Sequence, residues 1–211
     1  MITAVAVVPS APLLLPEYTG RLDPGADLRD RCSALVRAVL PGRASGGRVV
    51  LVVATDREPR SSRPALGRRV GVHLLDLAGA EADEVVEVPW DAPVEGCRAA
   101  GVALGAGPGE VSLVVVADGS ARRGEKAPGH LDERALEVDR GLVDAVRAAD
   151  PEGLLALDPA LCADLLLHGR APLQVAAAAM GASGRMRCAD LEAEDPWGVL
   201  YVTARLEPVR A

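Results

Sequence analysis

Short apolar runs rich in β-branched residues alternate along the chain with longer stretches whose apolar positions recur every three or four residues. Residues 2–8, 48–54 and 111–117 are near-continuous apolar runs, the pattern of strands buried on both faces of a parallel sheet. Residues 84–88 (Glu-Val-Val-Glu-Val) alternate and read as a strand nearer an edge, and residues 199–206 read as a last strand closing the sheet. Helical spacing puts Leu28, Cys32, Leu35, Val36 and Val39 on one stripe of residues 26–40. It does the same for Leu66, Val70, Leu74 and Leu77 in residues 65–78, as an amphipathic helix requires. Asp132 is placed to cap a helix with Ala135, Val138, Leu142 and Val146 on its apolar face. Asp158-Pro159 is placed to start a helix over 159–168, and Gly169 to stop it. This alternation predicts an α/β fold: one three-layer αβα domain over residues 1–211 around a central, mainly parallel sheet.

Two long polar connections interrupt the pattern, residues 54–64 and 118–131. Each leaves the carboxyl end of a buried strand, the edge at which open α/β sheets bind ligands. Loops of that length favour function over plain connection. The second gathers Asp118, Ser120, Arg122, Arg123, Lys126 and His130. A histidine can move protons near neutrality, and clustered cations can hold an anionic or phenolic oxygen. The bland alternative is a solvated loop whose ion pairs contribute ~0–1 kcal/mol each. A hydrolase triad of Ser120, His130 and Asp118 is disfavoured, because Ser120 lacks the flanking glycines of a nucleophile elbow. His73 reads as a half-buried packing residue, and His168 as a charge suited to a helix C-terminus.

Composition narrows the partners. Thirty acidic residues against 23 basic ones give a net charge of −7, which disfavours a nucleic-acid binder needing a basic face. With two Trp, two Tyr and no Phe, base-stacking platforms are scarce. Lys126 is the only lysine among the 23 basic residues. That bias fits a GC-rich genome and lowers the weight of any arginine cluster. Cys32, Cys97, Cys162 and Cys188 form no CxxC pair and read as free thiols. No two histidines have metal-ligand spacing, and no GxGxxG or Walker A sequence occurs. No apolar run reaches the ~18 residues of a membrane span. The first residues lack a basic start and meet Pro9 early, so a cytoplasmic protein is expected. The expected partner is a small molecule, with no nucleic acid and no membrane; a homo-oligomer is compatible with all of this.

The run Asp118-Gly119-Ser120-Ala121-Arg122-Arg123-Gly124-Glu125-Lys126-Ala127-Pro128-Gly129-His130-Leu131-Asp132 resembles the signature stretch of the bacterial class III extradiol dioxygenase B-subunit-like proteins. Residues 9–17, 157–172 and 196–201 fit the same pattern, so the resemblance runs in order along almost the whole chain. It implies an α/β core in which true enzymes hold Fe(II) at the carboxyl edge of the sheet by two His and one carboxylate. Positions are then left open for a catechol and O₂. Carried over residue by residue, most of that set is missing. Ser10 stands where the first-strand loop of relatives has a histidine, and no histidine lies between Ala54 and Gly67. Glu194 matches the acidic position near the C-terminus, and His130 is the surviving acid/base candidate. A serine and a carboxylate lack the imidazoles that hold Fe(II) and their orienting partners. The expectation is therefore a dioxygenase-like protein with no metal ligands and no cofactor, Fe(II) returning only if the family activity is retained. Catalytic candidates are His130, Ser120 and Asp118; ligand-binding candidates are Ser10, Arg122, Arg123, Lys126 and Glu194. The competing expectations are an active Fe(II) ring-cleaving enzyme acting on a catechol and a non-catalytic, partner-binding scaffold.

Overall fold

The computed structural model describes residues 1–42, 46–56 and 62–209. Six strands make one sheet: β1 (Ile2–Val8), β2 (Arg48–Thr55), β3 (Glu84–Pro89), β4 (Val111–Val116), β5 (Met186–Glu194) and β6 (Tyr201–Pro208). Their order is β3-β2-β4-β1-β6-β5. The three apolar runs are adjacent and parallel, with β4 paired to β1 on one side and to β2 on the other. All six residues of β4 are buried, as its continuous apolar sequence requires of a central strand. Strand β3, which carries Glu84 and Glu87, does take an edge.

Seven α-helices are found among the described residues: α1 (Ala26–Val39), α2 (Leu66–Ala78), α3 (Val94–Ala106), α4 (Arg134–Ala148), α5 (Pro151–Leu155), α6 (Pro159–Asp164) and α7 (Arg170–Gly181). They cover both faces of the sheet. Val8, Leu51, Val53 and Val116 pack with the buried stripes of α1 and α2. The alternate residues Val7, Val50, Val52 and Val115 pack with residues of α3, α4 and α7. Period-two alternation thus serves two apolar layers at once.

Two expectations need correction, and two helices had no counterpart in the sequence pattern. The 199–206 run does not close the sheet: β6 lies antiparallel between β1 and β5, and β5 takes the edge. Its charged positions Arg187, Asp190, Glu192 and Glu194 conceal β5 as a strand, and charge on an edge blocks pairing with another chain. Second, the 159–168 helix stops at Asp164. Leu166 adopts a left-handed φ of 54°, and Gly169 is the N-cap of α7 rather than the stop of α6. The helices without a counterpart, α3 and α7, pack on each other through small residues, which carry little periodic signal. A Cβ at Gly101 would lie 2.6 Å from that of Ala178, and one at Gly105 would lie 2.6 Å from the carbonyl oxygen of Ala179. Every residue of α7 from Arg170 to Met180 is buried, so it has no polar face to mark its period.

Candidate functional site

Four parallel strands deliver their carboxyl ends to one edge, and a cleft of about 410 Å³ opens there. Each strand contributes from its following loop: Ser10 after β1, Asp56 after β2, Trp90 after β3 and Asp118 after β4. His168, just ahead of α7, and Tyr201, at the start of β6, complete the polar lining. The rest is mainly small or apolar, the usual character of a small-molecule site.

Asp118 sits at the base. β4 is prolonged by a short antiparallel ladder in which Asp118 faces Tyr201. The Gly119 amide donates to the Leu200 carbonyl at 2.8 Å, and the Leu200 amide donates to the Ser120 carbonyl at 3.0 Å. The Ser10 amide donates to Asp118 Oδ1 at 2.7 Å. Oδ2 has no protein hydrogen-bond partner among the described residues. Burial raises the Asp118 carboxyl to about 7, with the Ser10 amide opposing. The Tyr201 phenol is pushed up to about 12 by burial and by the nearby Asp118 charge, so it stays a neutral donor.

The opposite wall is a ring stack. The His168 imidazole lies on the Trp90 indole with centroids 4.7 Å apart and planes inclined by 25°. Burial lowers its pKa below the ordinary histidine value, while Asp56 pulls the other way. Arg170 fixes this wall from behind. Only 1% exposed, it donates to the carbonyls of Trp90 (2.8 Å) and Ala92 (2.7 Å) and to Gln174 Oε1 (2.7 Å). Gln174 in turn donates to the Leu157 carbonyl at 3.0 Å. A buried guanidinium without hydrogen bonds would be prohibitive, and here its protons hold the loop between β3 and α3 and orient Gln174. The two walls meet at Gly169. A side chain there would collide with the Asp118 carbonyl oxygen and lie 2.6 Å from its amide nitrogen, so only glycine allows the approach.

Of the residues expected to converge, Ser10 and Asp118 line the cleft; Ser120, His130, Glu194 and the three cations do not. Ser120 is fully buried: its Oγ donates to the Leu165 carbonyl (2.8 Å) and accepts from the Arg122 amide (3.1 Å). His130 is exposed at a left-handed φ of 58°, its ring 3.3 Å from the Glu125 carbonyl. Arg123 folds back onto Asp139 (2.9 Å) and Asp195 (2.6 Å), not onto the nearer acids Glu125 and Glu133. Arg122 packs against Gly129, and its buried Nε finds no partner. Lys126 is exposed. Glu194 is paired with Arg31 of α1 at the end of β5. In the 54–64 connection, residues 57–61 lie outside the described residues.

His168, Trp90 and Tyr201 escaped the sequence reading. His168 was assigned to a helix end that lies four residues earlier. Trp90 follows an edge strand whose neighbours are unremarkable. The available signal was the scarcity of aromatic residues: two Trp and two Tyr in 211 positions, with one of each in this cleft.

Among the described residues, no group of three or more His, Cys, Asp or Glu side chains is placed to hold a metal ion. The cleft offers one imidazole, that of His168, with the carboxyl groups of Asp56 and Asp118. A two-histidine, one-carboxylate iron centre does not fit this set.

The chain is similar in fold to the crystal structure of the uncharacterized protein JW3007 from Escherichia coli K12, with a TM-score of 0.52 and 12% identity. The match covers 98% of this chain and all of that one. No family model matches the chain, and no curated protein does. The fold is thus mixed α/β with a mostly parallel six-stranded sheet. No helix among the described residues is long and apolar enough to cross a membrane.

Proposed function

We propose that this chain is a divergent relative of the extradiol dioxygenase B-subunit-like proteins whose cleft binds a small planar molecule without iron. The resemblance of residues 118–132 and of the three supporting stretches favours that lineage. One observation carries the binding reading: the cleft joins an aromatic stack, Trp90–His168, to polar groups with unspent hydrogen-bonding capacity on Asp118 and Tyr201. A planar ring gains stacking area on such a wall, while an unsatisfied buried carboxyl selects for a ligand that supplies a donor or acceptor.

The reading is tested with uncharged planar probes, namely catechol, 4-hydroxybenzaldehyde and 2-tetralone, followed by tryptophan fluorescence and thermal midpoint. Saturation at 100 times Kd should stabilise the fold by about 2.7 kcal/mol. His168→Ala should abolish the fluorescence change. If no probe shifts the midpoint of the wild-type protein at millimolar concentration, the cleft is not such a site. Elemental analysis of protein purified without added metal should find substoichiometric iron. Stoichiometric iron together with O₂ uptake on catechol would return the chain to the ring-cleaving class.

A further inference from the structure

We propose that Asp118 and His168 form a metal-free acid–base pair that enolises an uncharged planar ketone held in the cleft. The inference rests on the small-molecule reading above and adds a reaction and a substrate class to it.

The two side chains come from different parts of the fold. Asp118 ends the central strand β4, and His168 precedes the buried helix α7. They face one cavity because the backbone at Gly169 lies directly on that of Asp118, in a space no side chain fits. Both retain reactive capacity. Asp118 spends one oxygen on the Ser10 amide, and the His168 ring has a stacking partner but no hydrogen-bond partner among the described residues. Arg170 holds the Trp90 carbonyl and so fixes the surface on which the imidazole rests.

The surroundings bring both groups toward their neutral forms near neutrality. Burial holds the Asp118 proton up to about pH 7 and drives the His168 proton off below its ordinary value. Tyr201 and Cys32 face Asp118, and both thiol and phenol stay protonated because burial raises them to about 12. Asp56 and Trp90 face His168. A neutral carboxylic acid beside a neutral imidazole is the pairing that concerted acid–base catalysis consumes.

The step balances without an oxidant. The imidazole takes a proton from the carbon next to the carbonyl, and the C–H electron pair becomes the C=C bond of the enol. The carbonyl π pair moves onto oxygen, which takes the Asp118 proton. His168 ends protonated and Asp118 ionised, and the reverse step restores both. A ketone without a carboxylate fits best: Asp56 lies in the lining, Asp118 becomes anionic in the step itself, and the described lining residues include no Lys or Arg to offset a bound anion.

The experiment follows α-hydrogen exchange of 2-tetralone in D₂O by proton NMR, with binding measured in parallel by tryptophan fluorescence. The wild-type protein should accelerate exchange well above buffer, with a bell-shaped pH profile peaking near neutrality. Asp118→Asn and His168→Gln should each lower the rate by about 100-fold while 2-tetralone still binds. Exchange should survive a chelator. Three results overturn the proposal: 2-tetralone bound but exchanging at the buffer rate, exchange unaffected by either substitution, or exchange abolished by the chelator. The first two leave the binding reading standing, and the third removes only its metal-free part. Absence of 2-tetralone binding overturns the proposal for this substrate class, and the other two probes then decide the binding reading separately.

Discussion

The cleft and the charged loop beside it grow from the same strand, and they have spent their polar groups differently. In the loop, Ser120 donates and accepts, Arg123 serves two carboxylates, and Asp132 holds the Arg134 amide and guanidinium. Two residues before Ser120, Asp118 keeps an oxygen without a partner among the described residues, and His168, which lines the same cavity, has no hydrogen-bond partner among them either. The loop is richer in chemistry by residue count. The cleft is richer in chemistry left over. What separates a site from a scaffold here is unsatisfied hydrogen-bonding capacity facing a cavity, not the density of reactive side chains.

That contrast can be broken most forcefully at Asp139. It is 1% exposed and accepts from the Ser120 amide at 2.8 Å and from Arg123. Asp139→Ala should cost about 3 kcal/mol, since it strands a half-buried guanidinium and a buried amide. Chemical denaturation checks this, and a loss below about 1 kcal/mol would show the loop to be less committed than described.

Asp118→Asn should act in the opposite direction. The folded carboxyl titrates at about 7 against an ordinary 3.8, so the fold binds more protons than the unfolded chain between those values. Stability therefore falls as pH rises through that window and stays lowered above it. The asparagine variant, which still accepts the Ser10 amide, should exceed wild type by on the order of 2 kcal/mol near pH 8 and match it near pH 4. Equal stability at both pH values would remove the case for a strained carboxyl.

Ser120→Ala should cost about 1–2 kcal/mol, because the Leu165 carbonyl and Arg122 amide lose a buried partner. It should leave probe binding unchanged. His130→Ala should move stability by less than about 0.5 kcal/mol and probe binding not at all, as measured by thermal melting and fluorescence. A binding defect in either variant would transfer function back to the loop.

The parallel core was legible because β1, β2 and β4 are buried on both faces and are apolar at nearly every central position. Helices α1 and α2 were legible because one side of each meets water. Helix α7 was not, since burial on all sides erases the contrast that periodicity measures. Strand β5 was hidden by its edge charges. Ser10 and Asp118 could be placed because parallel strands bring their ends together. His130 and Ser120 could not be excluded from sequence, because the ladder from Gly119 to Leu200 turns the chain inward only once β6 is in position. His168 depended on knowing where α6 ends, and a left-handed leucine at 166 decides that.

The seamless contact between α3 and α7 has a consequence for how the cleft opens. A helix buried over eleven consecutive residues exposes its amides to solvent only when the whole domain unfolds, so α7 belongs to the slowest-exchanging unit of the protein. His168 and Arg170 are anchored at the margin of that unit. The side of the cleft formed by Ser10, Ala11 and Pro12 leads into a single-turn 3₁₀ segment, Pro12–Leu14, whose backbone bonds span only one turn, so it should exchange faster than α7. The cleft therefore sets a deeply anchored wall beside one held by a single helical turn, and hydrogen exchange should rank the two in that order.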